Sequence, residues 1–124
     1  MKQRPIKIGD VLVVTLPRSV PSGHEQEGLR PVIVIGLPHK IGTPRYPMLL
    51  IVPLTTQVRT WAKENPFLYP RLEVGATGLT TASVILLDQL RAIDERRIEK
   101  YIGSLDEDKA TQIQQQILLM LGFL

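Results

Sequence analysis

Cysteine is absent from this sequence of 124 residues, which excludes disulfides and thiolate metal sites. Long hydrophobic runs are missing as well, since no segment approaches the roughly 20 apolar residues that span a bilayer. The basic residues 1–5 are followed by an apolar run that is too short for the core of a signal peptide. We therefore expect a protein of the reducing cytoplasm that has no membrane partner.

Histidine is also scarce. The only two histidines are His24 and His39, and no cluster of histidines and carboxylates has the spacing of a metal ligand set. We therefore expect no catalytic metal and no other cofactor.

The charged residues are distributed unevenly along the chain, although the net charge is small. Residues 1–60 hold eight Lys or Arg against three Asp or Glu, a net +5, while residues 61–124 hold seven against nine, a net −2. The first half is thus the better candidate for binding a polyanion, although ordinary solvated surface charges fit the same counts.

Short apolar runs predict the fold. Nearly continuous runs at 11–14, 32–35, 49–52 and 84–87 are typical of strands that are buried on both faces, and 71–74 alternates as an edge strand does. Ten prolines and nine glycines punctuate the sequence, and no long helical period separates the strands. The pattern predicts a small antiparallel barrel in a single domain over residues 1–124.

Three helical segments are predicted. Single turns are expected at 60–64 and at 93–98, the second with Asp94 as its cap. The strongest helix is C-terminal, where Ser104 and Glu107 have the spacing of a capping box. Its apolar stripe comprises Ala110, Ile113, Ile117 and Leu121, and it is widened by Leu118, Leu119, Met120, Phe123 and Leu124. This helix either buries surface in a dimer or closes the core of the barrel.

A polar loop begins at Gly23 and leads to Arg30, which is followed by Pro31. Such a loop can lie over a substrate, and Arg30 is held where the proline stiffens the backbone. This arrangement is typical of phosphate-binding sites. The simpler alternative for Arg30 is a surface salt bridge at the start of a strand.

Four blocks of sequence, in this order, resemble the MazF/PemK family of toxin ribonucleases. They are Gly-Asp-Val at 9–11, the loop with Arg-Pro-Val at 30–32, Val-Pro-Leu-Thr-Thr at 52–56, and residues 83–94 with Arg97 and 102–105 behind them. The resemblance implies a mainly β (β-rich α+β) fold, which is an SH3-like small antiparallel barrel of the MazF/PemK/CcdB type. Short helices and a C-terminal helix complete that fold, and its members assemble as homodimers.

The resemblance also implies an activity, that of a toxin in a type II toxin-antitoxin system. Such a toxin cleaves single-stranded mRNA at short sequences without a metal. The ribose 2′-hydroxyl attacks the adjacent phosphorus and leaves a 2′,3′-cyclic phosphate and a free 5′-hydroxyl. This reaction needs a base, stabilisation of the extra phosphate charge, and a proton for the leaving oxygen. The cognate antitoxin is expected to silence the toxin by laying a flexible acidic tail along the basic groove.

By the same resemblance, Arg30 matches the catalytic arginine and Thr55 the catalytic threonine. A guanidinium can hold two phosphate oxygens at once, and a hydroxyl can donate to a third. Thr56 is the fallback for Thr55. Without the resemblance, a strand threonine would be read as present for its β-branched shape.

Two further residues are accessory catalytic candidates. His24 could act as an acid or base near neutral pH, although an exposed loop histidine without a chemical role is the simpler interpretation. Asp88 matches a carboxylate that some members use with an arginine two residues before it, but Leu86 occupies that position here. This departure argues against the Asp-Arg version of the mechanism. Asp88 could instead pair with Arg91 or cap a turn.

The remaining candidates are expected to bind RNA: Glu25, Gln26, Thr56, Gln57 and Ser83. Aromatic residues make up only 5% of the chain, so Trp61, Phe67 and Tyr69 are the available stacking partners for bases. Packing in the core is the alternative for Phe67.

Two other classes of function stay open. One is a gyrase poison of the same fold, which would depend on C-terminal residues such as Phe123 and would be indifferent to Arg30. The other is a catalytically inactive family member that binds RNA or a partner.

Overall fold

The computed structural model describes residues 5–75 and 77–123, so the basic residues 1–4, Ala76 and Leu124 lie outside the described residues. The strands are β1 (Asp10–Leu16), β2 (Gly28–Gly36), β3 (Met48–Thr55), β4 (Arg71–Leu72), β5 (Ser83–Ile85), β6 (Arg91–Asp94) and β7 (Ile98–Ser104). The helices are α1 (Thr60–Lys63) and α2 (Glu107–Met120). Single 3-10 turns lie at Pro38–Lys40, Leu87–Gln89 and Glu95–Arg97.

The strands form one antiparallel sheet that curls into a half-barrel. Its order is β4-β5-β3-β2-β1-β7, and β6 pairs with the first half of β3. The long central strand β3 changes partners along its length, because its early residues pair with β2 and β6 and its last two pair with β5. The expectation of a mainly β, antiparallel barrel-like fold with a C-terminal helix is confirmed, and the sheet curls into a half-barrel.

The three central strands are buried on both faces, as their unbroken apolar runs predict. Alternate residues of β1, β2 and β3 feed two separate hydrophobic cores. The helix-side core consists of Val11, Ile33, Val52, Leu54, Leu72, Ile85, Leu87, Ile113 and Ile117. The second core consists of Leu12, Val14, Leu16, Val32, Val34, Leu37, Leu49, Ile51 and Ile93.

The helix α2 is confirmed, but its cap is not the predicted one. Asp106 is the N-cap, and its carboxylate accepts from the backbone N–H of Lys109. Ser104 instead ends β7 and donates to the buried carboxylate of Asp10 at 2.8 Å. The predicted capping box is therefore wrong, because a tertiary hydrogen bond takes the Ser104 hydroxyl.

Only part of the predicted stripe on α2 is buried. Ile113 and Ile117 enter the helix-side core, so the helix does cover the barrel core. Leu121 was expected in the stripe but is 52% exposed. Leu118, Leu119, Met120 and Phe123 are exposed with it and form an apolar end of the helix.

Other element boundaries also differ from the expectation. The single turn predicted at 93–98 is confirmed over a shorter range, since Ile93 and Asp94 end β6 and the 3-10 turn spans Glu95–Arg97. Asp94 does cap that turn, accepting from the backbone N–H of Arg96. The predicted strand at 84–87 stops at Ile85, and the edge strand at 71–74 has only two residues. The turn at 60–64 is confirmed as α1.

Among residues 5–75 and 77–123, no helix is both long enough and apolar enough to cross a bilayer.

Candidate functional site

Arg30 lies near the start of β2, directly after the polar loop of residues 17–27 that we call the β1–β2 loop. Gly28 has a positive φ of 77°, a conformation open to glycine, and turns the loop into the strand. The side chain of Arg30 is exposed, and its Nε donates to the backbone oxygen of Glu27 at 3.0 Å. Within the described part of the chain Arg30 has no ion pair, so the salt bridge considered as its simpler role is not formed.

Thr55 is the last residue of β3, and the sheet register relates it to Arg30. The β2–β3 ladder ends at the pair Val32–Pro53, and Arg30 and Thr55 each lie two residues beyond that pair. Beyond the ladder, β3 continues to pair on its other edge, where Thr55 is the partner of Val84 in β5. The arginine and the hydroxyl therefore lie at the same end of the β2–β3 ladder.

The hydroxyl of Thr55 is half-buried and oriented by its neighbours. Its Oγ1 accepts from the backbone N–H of Gln57 at 3.2 Å. That bond uses a lone pair and leaves the hydroxyl proton available for donation. Thr56 and Gln57 continue the chain on the exposed surface beside it. A strand-end threonine in this state can donate to a phosphate oxygen.

The β1–β2 loop folds back across the sheet to the turn at Leu87–Gln89. Gln89 contacts it with both ends of its amide: its Oε1 accepts from the backbone N–H of Gln26 at 2.8 Å, and its Nε2 donates to the backbone oxygen of His24 at 3.3 Å. The loop also closes on itself, since Glu27 accepts from the backbone N–H of Ser19 at 2.6 Å. The side-chain oxygen of Gln26 is buried and has no hydrogen-bond partner among the described residues.

The Leu87–Gln89 turn is held in place by contacts with the helix-side core and with Tyr69. Leu87 is 1% exposed and belongs to the helix-side core. The hydroxyl of Tyr69 donates to the carboxylate of Asp88 at 2.7 Å. This bond, together with partial burial and the negative charge of Asp88, raises the pKa of Tyr69 above 10.0. The expected pairing of Asp88 with Arg91 is thus replaced by a bond to tyrosine.

An open cleft of about 790 Å³ lies between the loop and the turn. One wall consists of Ser19, Gly23, His24 and Glu25, and the other of Asp88, Gln89, Leu90 and Arg91. The cleft therefore gathers both accessory candidates, His24 and Asp88, together with Glu25. Its charges are mixed, with two carboxylates and one guanidinium. Arg30 and Thr55 do not line it, but the loop links the two places through the bond from Arg30 to Glu27.

Ser83 is the one predicted RNA contact that the fold removes from the surface. It is 1% exposed, and its hydroxyl donates to the backbone oxygen of Thr81. We therefore leave Ser83 out of the site. Its position in β5, which pairs with β3 and β4, explains the burial.

Two of the three aromatic candidates are close together. The rings of Trp61 and Tyr69 make an edge contact with centroids 4.8 Å apart, and Trp61 is 41% exposed. Phe67 is 80% exposed, so the alternative that it packs in the core is wrong. Tyr69 connects this pair to the cleft through its bond to Asp88.

In the described ranges 5–75 and 77–123, no three histidine, aspartate or glutamate side chains are grouped in a way that could hold a metal ion.

Two residues of the site make contacts that the sequence does not predict. Gln89 was missed because nothing local marks a glutamine in a turn as a contact to a distant loop. Tyr69 was considered for stacking only, and its bond to Asp88 joins residues 19 positions apart. No signal in the single sequence identifies either contact.

A half-barrel of this order, closed by a C-terminal helix, defines a class of small β proteins. Its exposed arginine and strand-end hydroxyl are groups of the kind that bind phosphate in proteins. Comparison with known proteins then gives the family. Residues 7–121 match the model of the PemK-like, MazF-like toxin of type II toxin-antitoxin systems. The chain belongs to this family.

Similarity to individual proteins covers almost the whole chain. It is 30% identical over 119 residues to Endoribonuclease EndoA of Bacillus subtilis (strain 168), covering 96% of this chain and 97% of the relative. The structure of MazF (Form-I) from Deinococcus radiodurans has a TM-score of 0.71 at 19% identity, covering 97% and 99% of the two chains. MazE-MazF (Form-II) from the same organism gives 0.67 at 21% identity, covering 98% and 100%. The two structures establish the common fold.

Proposed function

We propose that this toxin is an endoribonuclease that cuts single-stranded mRNA at short sequences without a metal. The observation that carries the proposal is the position of the exposed Arg30 guanidinium and the Thr55 hydroxyl, each two residues beyond the last β2–β3 pair at the same end of that ladder. The similarity to an endoribonuclease over nearly the whole chain supports it.

In the proposed reaction the ribose 2′-hydroxyl attacks the adjacent phosphorus, and the bond to the 5′ oxygen of the next nucleotide breaks. The products are a 2′,3′-cyclic phosphate and a 5′-hydroxyl end. The role of Arg30 is to hold two non-bridging phosphate oxygens and to bind them more tightly as charge develops. Thr55 donates a hydrogen bond to the same group. Both contacts stabilise charge, which is the larger part of the requirement.

Proton transfer is assigned to the cleft. His24 is exposed on the wall opposite Asp88, and an imidazole is a suitable group for general acid or base catalysis. Asp88 is committed to Tyr69 and is therefore a weaker candidate for a base. Glu25, Gln26, Thr56 and Gln57 are proposed to contact the RNA around the scissile bond. Trp61 offers an exposed face for stacking a base.

The proposal extends to the assembly and its setting. Residues 1–124 act as one domain, form a homodimer and work in the cytoplasm, where a cognate antitoxin binds them. The solved MazE-MazF complex of a structural relative supports an antitoxin partner. The exposed apolar end of α2 supports a protein contact there, whether with a second copy or with another target such as gyrase.

The test is a digest of a long single-stranded RNA by the purified protein in the presence of a chelator. We expect discrete fragments whose 5′ ends carry hydroxyl groups, which a kinase can label without prior phosphatase treatment. Mapping these ends also gives the recognition sequence. Intact RNA, or fragments that appear only when a divalent metal is added, would refute the proposed reaction.

A further inference from the structure

We propose that Gln89 is a positioning residue that fastens the β1–β2 loop against the Leu87–Gln89 turn and thereby forms the cleft. The catalytic part of this inference rests on the proposed ribonuclease function. The structural part does not, because it concerns how one side chain holds a loop.

The loop has few other restraints. Residues 20–25 are all exposed, so no burial of apolar surface holds them in place. Within the described ranges 5–75 and 77–123, the two hydrogen bonds from Gln89 are the only ones that connect residues 20–26 to another element. Ser19 and Glu27 bond to each other, which closes the base of the loop but does not set its direction.

The turn that carries Gln89 is well anchored in contrast. Leu87 is buried in the helix-side core, and the backbone N–H of Gln89 donates to the oxygen of Leu86. Asp88 is fixed by the hydroxyl of Tyr69, whose ring contacts Trp61. A side chain that projects from such a base can hold a mobile segment at a defined distance.

The use of both amide ends makes the contact directional. Accepting from Gln26 and donating to the carbonyl of His24 fixes two successive peptide units of the loop, one through its N–H and one through its oxygen. A carboxylate could do only the first, and an apolar side chain could do neither. Since four loop residues form one wall of the cleft, the cleft exists only while the loop lies against the turn.

This arrangement predicts separate effects on the loop and on catalysis. Gln89→Met keeps the length of the side chain but removes both hydrogen bonds. Gln89→Glu keeps the acceptor for Gln26 and loses the donor to His24. Gln115→Met is the matched control, because Gln115 is an exposed glutamine on α2.

The measurement is amide hydrogen exchange of the loop by NMR, combined with RNA cleavage kinetics. In Gln89→Met we expect the Gln26 amide to exchange about tenfold faster than in the wild type. Gln89→Glu should keep that amide protected, and Gln115→Met should match the wild type. For RNA, Gln89→Met should lower kcat/KM about tenfold, because the released loop carries both His24 and the proposed RNA contacts Glu25 and Gln26.

Unchanged exchange at Gln26 in a folded Gln89→Met protein would overturn the inference. A lower kcat/KM with unchanged exchange would also overturn it, since Gln89 would then contact RNA directly. If the wild type cuts no RNA, the proposed function fails, but the exchange rates still decide whether Gln89 holds the loop.

Discussion

Arg30 and Thr55 each have hydrogen-bond donors that no described residue uses. A guanidinium has five N–H donors, and Arg30 uses its Nε on a backbone oxygen while its terminal nitrogens have no partner among the described residues. Thr55 accepts one bond and keeps its proton. These donors lie at the same end of the β2–β3 ladder, and they suit an anionic ligand.

Two substitutions of Thr55 distinguish the effect of its β-branched shape from the effect of its hydroxyl. Thr55→Val keeps the β-branched form that suits a strand and removes the hydroxyl, whereas Thr55→Ser keeps the hydroxyl. We expect Thr55→Val to slow RNA cleavage about 100-fold, comparable to the loss of one oxyanion donor, and Thr55→Ser to slow it much less. Single-turnover cleavage rates measure both. Equal rates for the two variants would remove the hydroxyl from the mechanism.

Tyr69 supplies a prediction about pH. Its raised pKa means that the hydrogen bond to Asp88 stabilises the fold fully below pH 10.0, the ordinary pKa of tyrosine, and is lost as pH rises through the higher folded value. At neutral pH, Tyr69→Phe should therefore lower the free energy of unfolding by about 1 kcal/mol. The difference from the wild type should shrink once the phenol ionises above pH 10.0.

Denaturant unfolding at neutral and strongly alkaline pH checks this expectation. Tyr46→Phe is the control, because Tyr46 is 57% exposed and lies before β3. A difference for Tyr69→Phe that does not depend on pH would mean that the bond to Asp88 contributes nothing.

At the scale of elements, the segment before β5 passes so close to β7 that there is no space for a side chain at Gly103. A Cβ at Gly103 would lie 2.3 Å from the backbone oxygen of Thr77. Gly103→Ala should therefore force the two segments apart and destabilise the protein by about 1–3 kcal/mol. Gly42→Ala is the matched control, since its Cβ would meet nothing within 4 Å. Denaturant unfolding compares the two, and equal stabilities would contradict this close approach.

The sequence predicts those elements whose burial leaves a local pattern. The strands β1, β2 and β3 are apolar on both faces, so their positions follow from the runs at 11–14, 32–35 and 49–52. The edge strand β7 has an irregular mixture of exposed and half-buried residues, and no period reveals it. Its pairing with β1 also contains register shifts, which further disturb alternation.

Local rules fail where a distant partner competes. Ser104 and Asp106 are both suitable caps for α2, and the choice is settled by Asp10, which lies 94 positions from Ser104. The candidate site likewise contains residues that the local sequence marks and contacts that it does not. Arg30 and Thr55 are marked by adjacent strands and motifs, but the contacts of Gln89 reach across 63 and 65 positions and leave no trace in a single sequence.

For the whole molecule, the sheet and the anchored Leu87–Gln89 turn provide the stable frame, and the β1–β2 loop is the part with few restraints. The two cores and α2 fix β2 and β3, and Arg30 and Thr55 lie beyond the last pair of their ladder, at the same end. The β1–β2 loop forms one wall of the cleft. This division lets substitutions in the site change activity while stability remains nearly constant.

The most direct test is the single-turnover RNA cleavage rate of Arg30→Ala against the wild type and Arg45→Ala. Arg45 is an equally exposed arginine that precedes β3, at the opposite end of that strand from Thr55. We predict that Arg30→Ala loses at least about 100-fold in rate with almost unchanged unfolding, and that Arg45→Ala keeps full activity. Cleavage by Arg30→Ala at the wild-type rate would contradict the account.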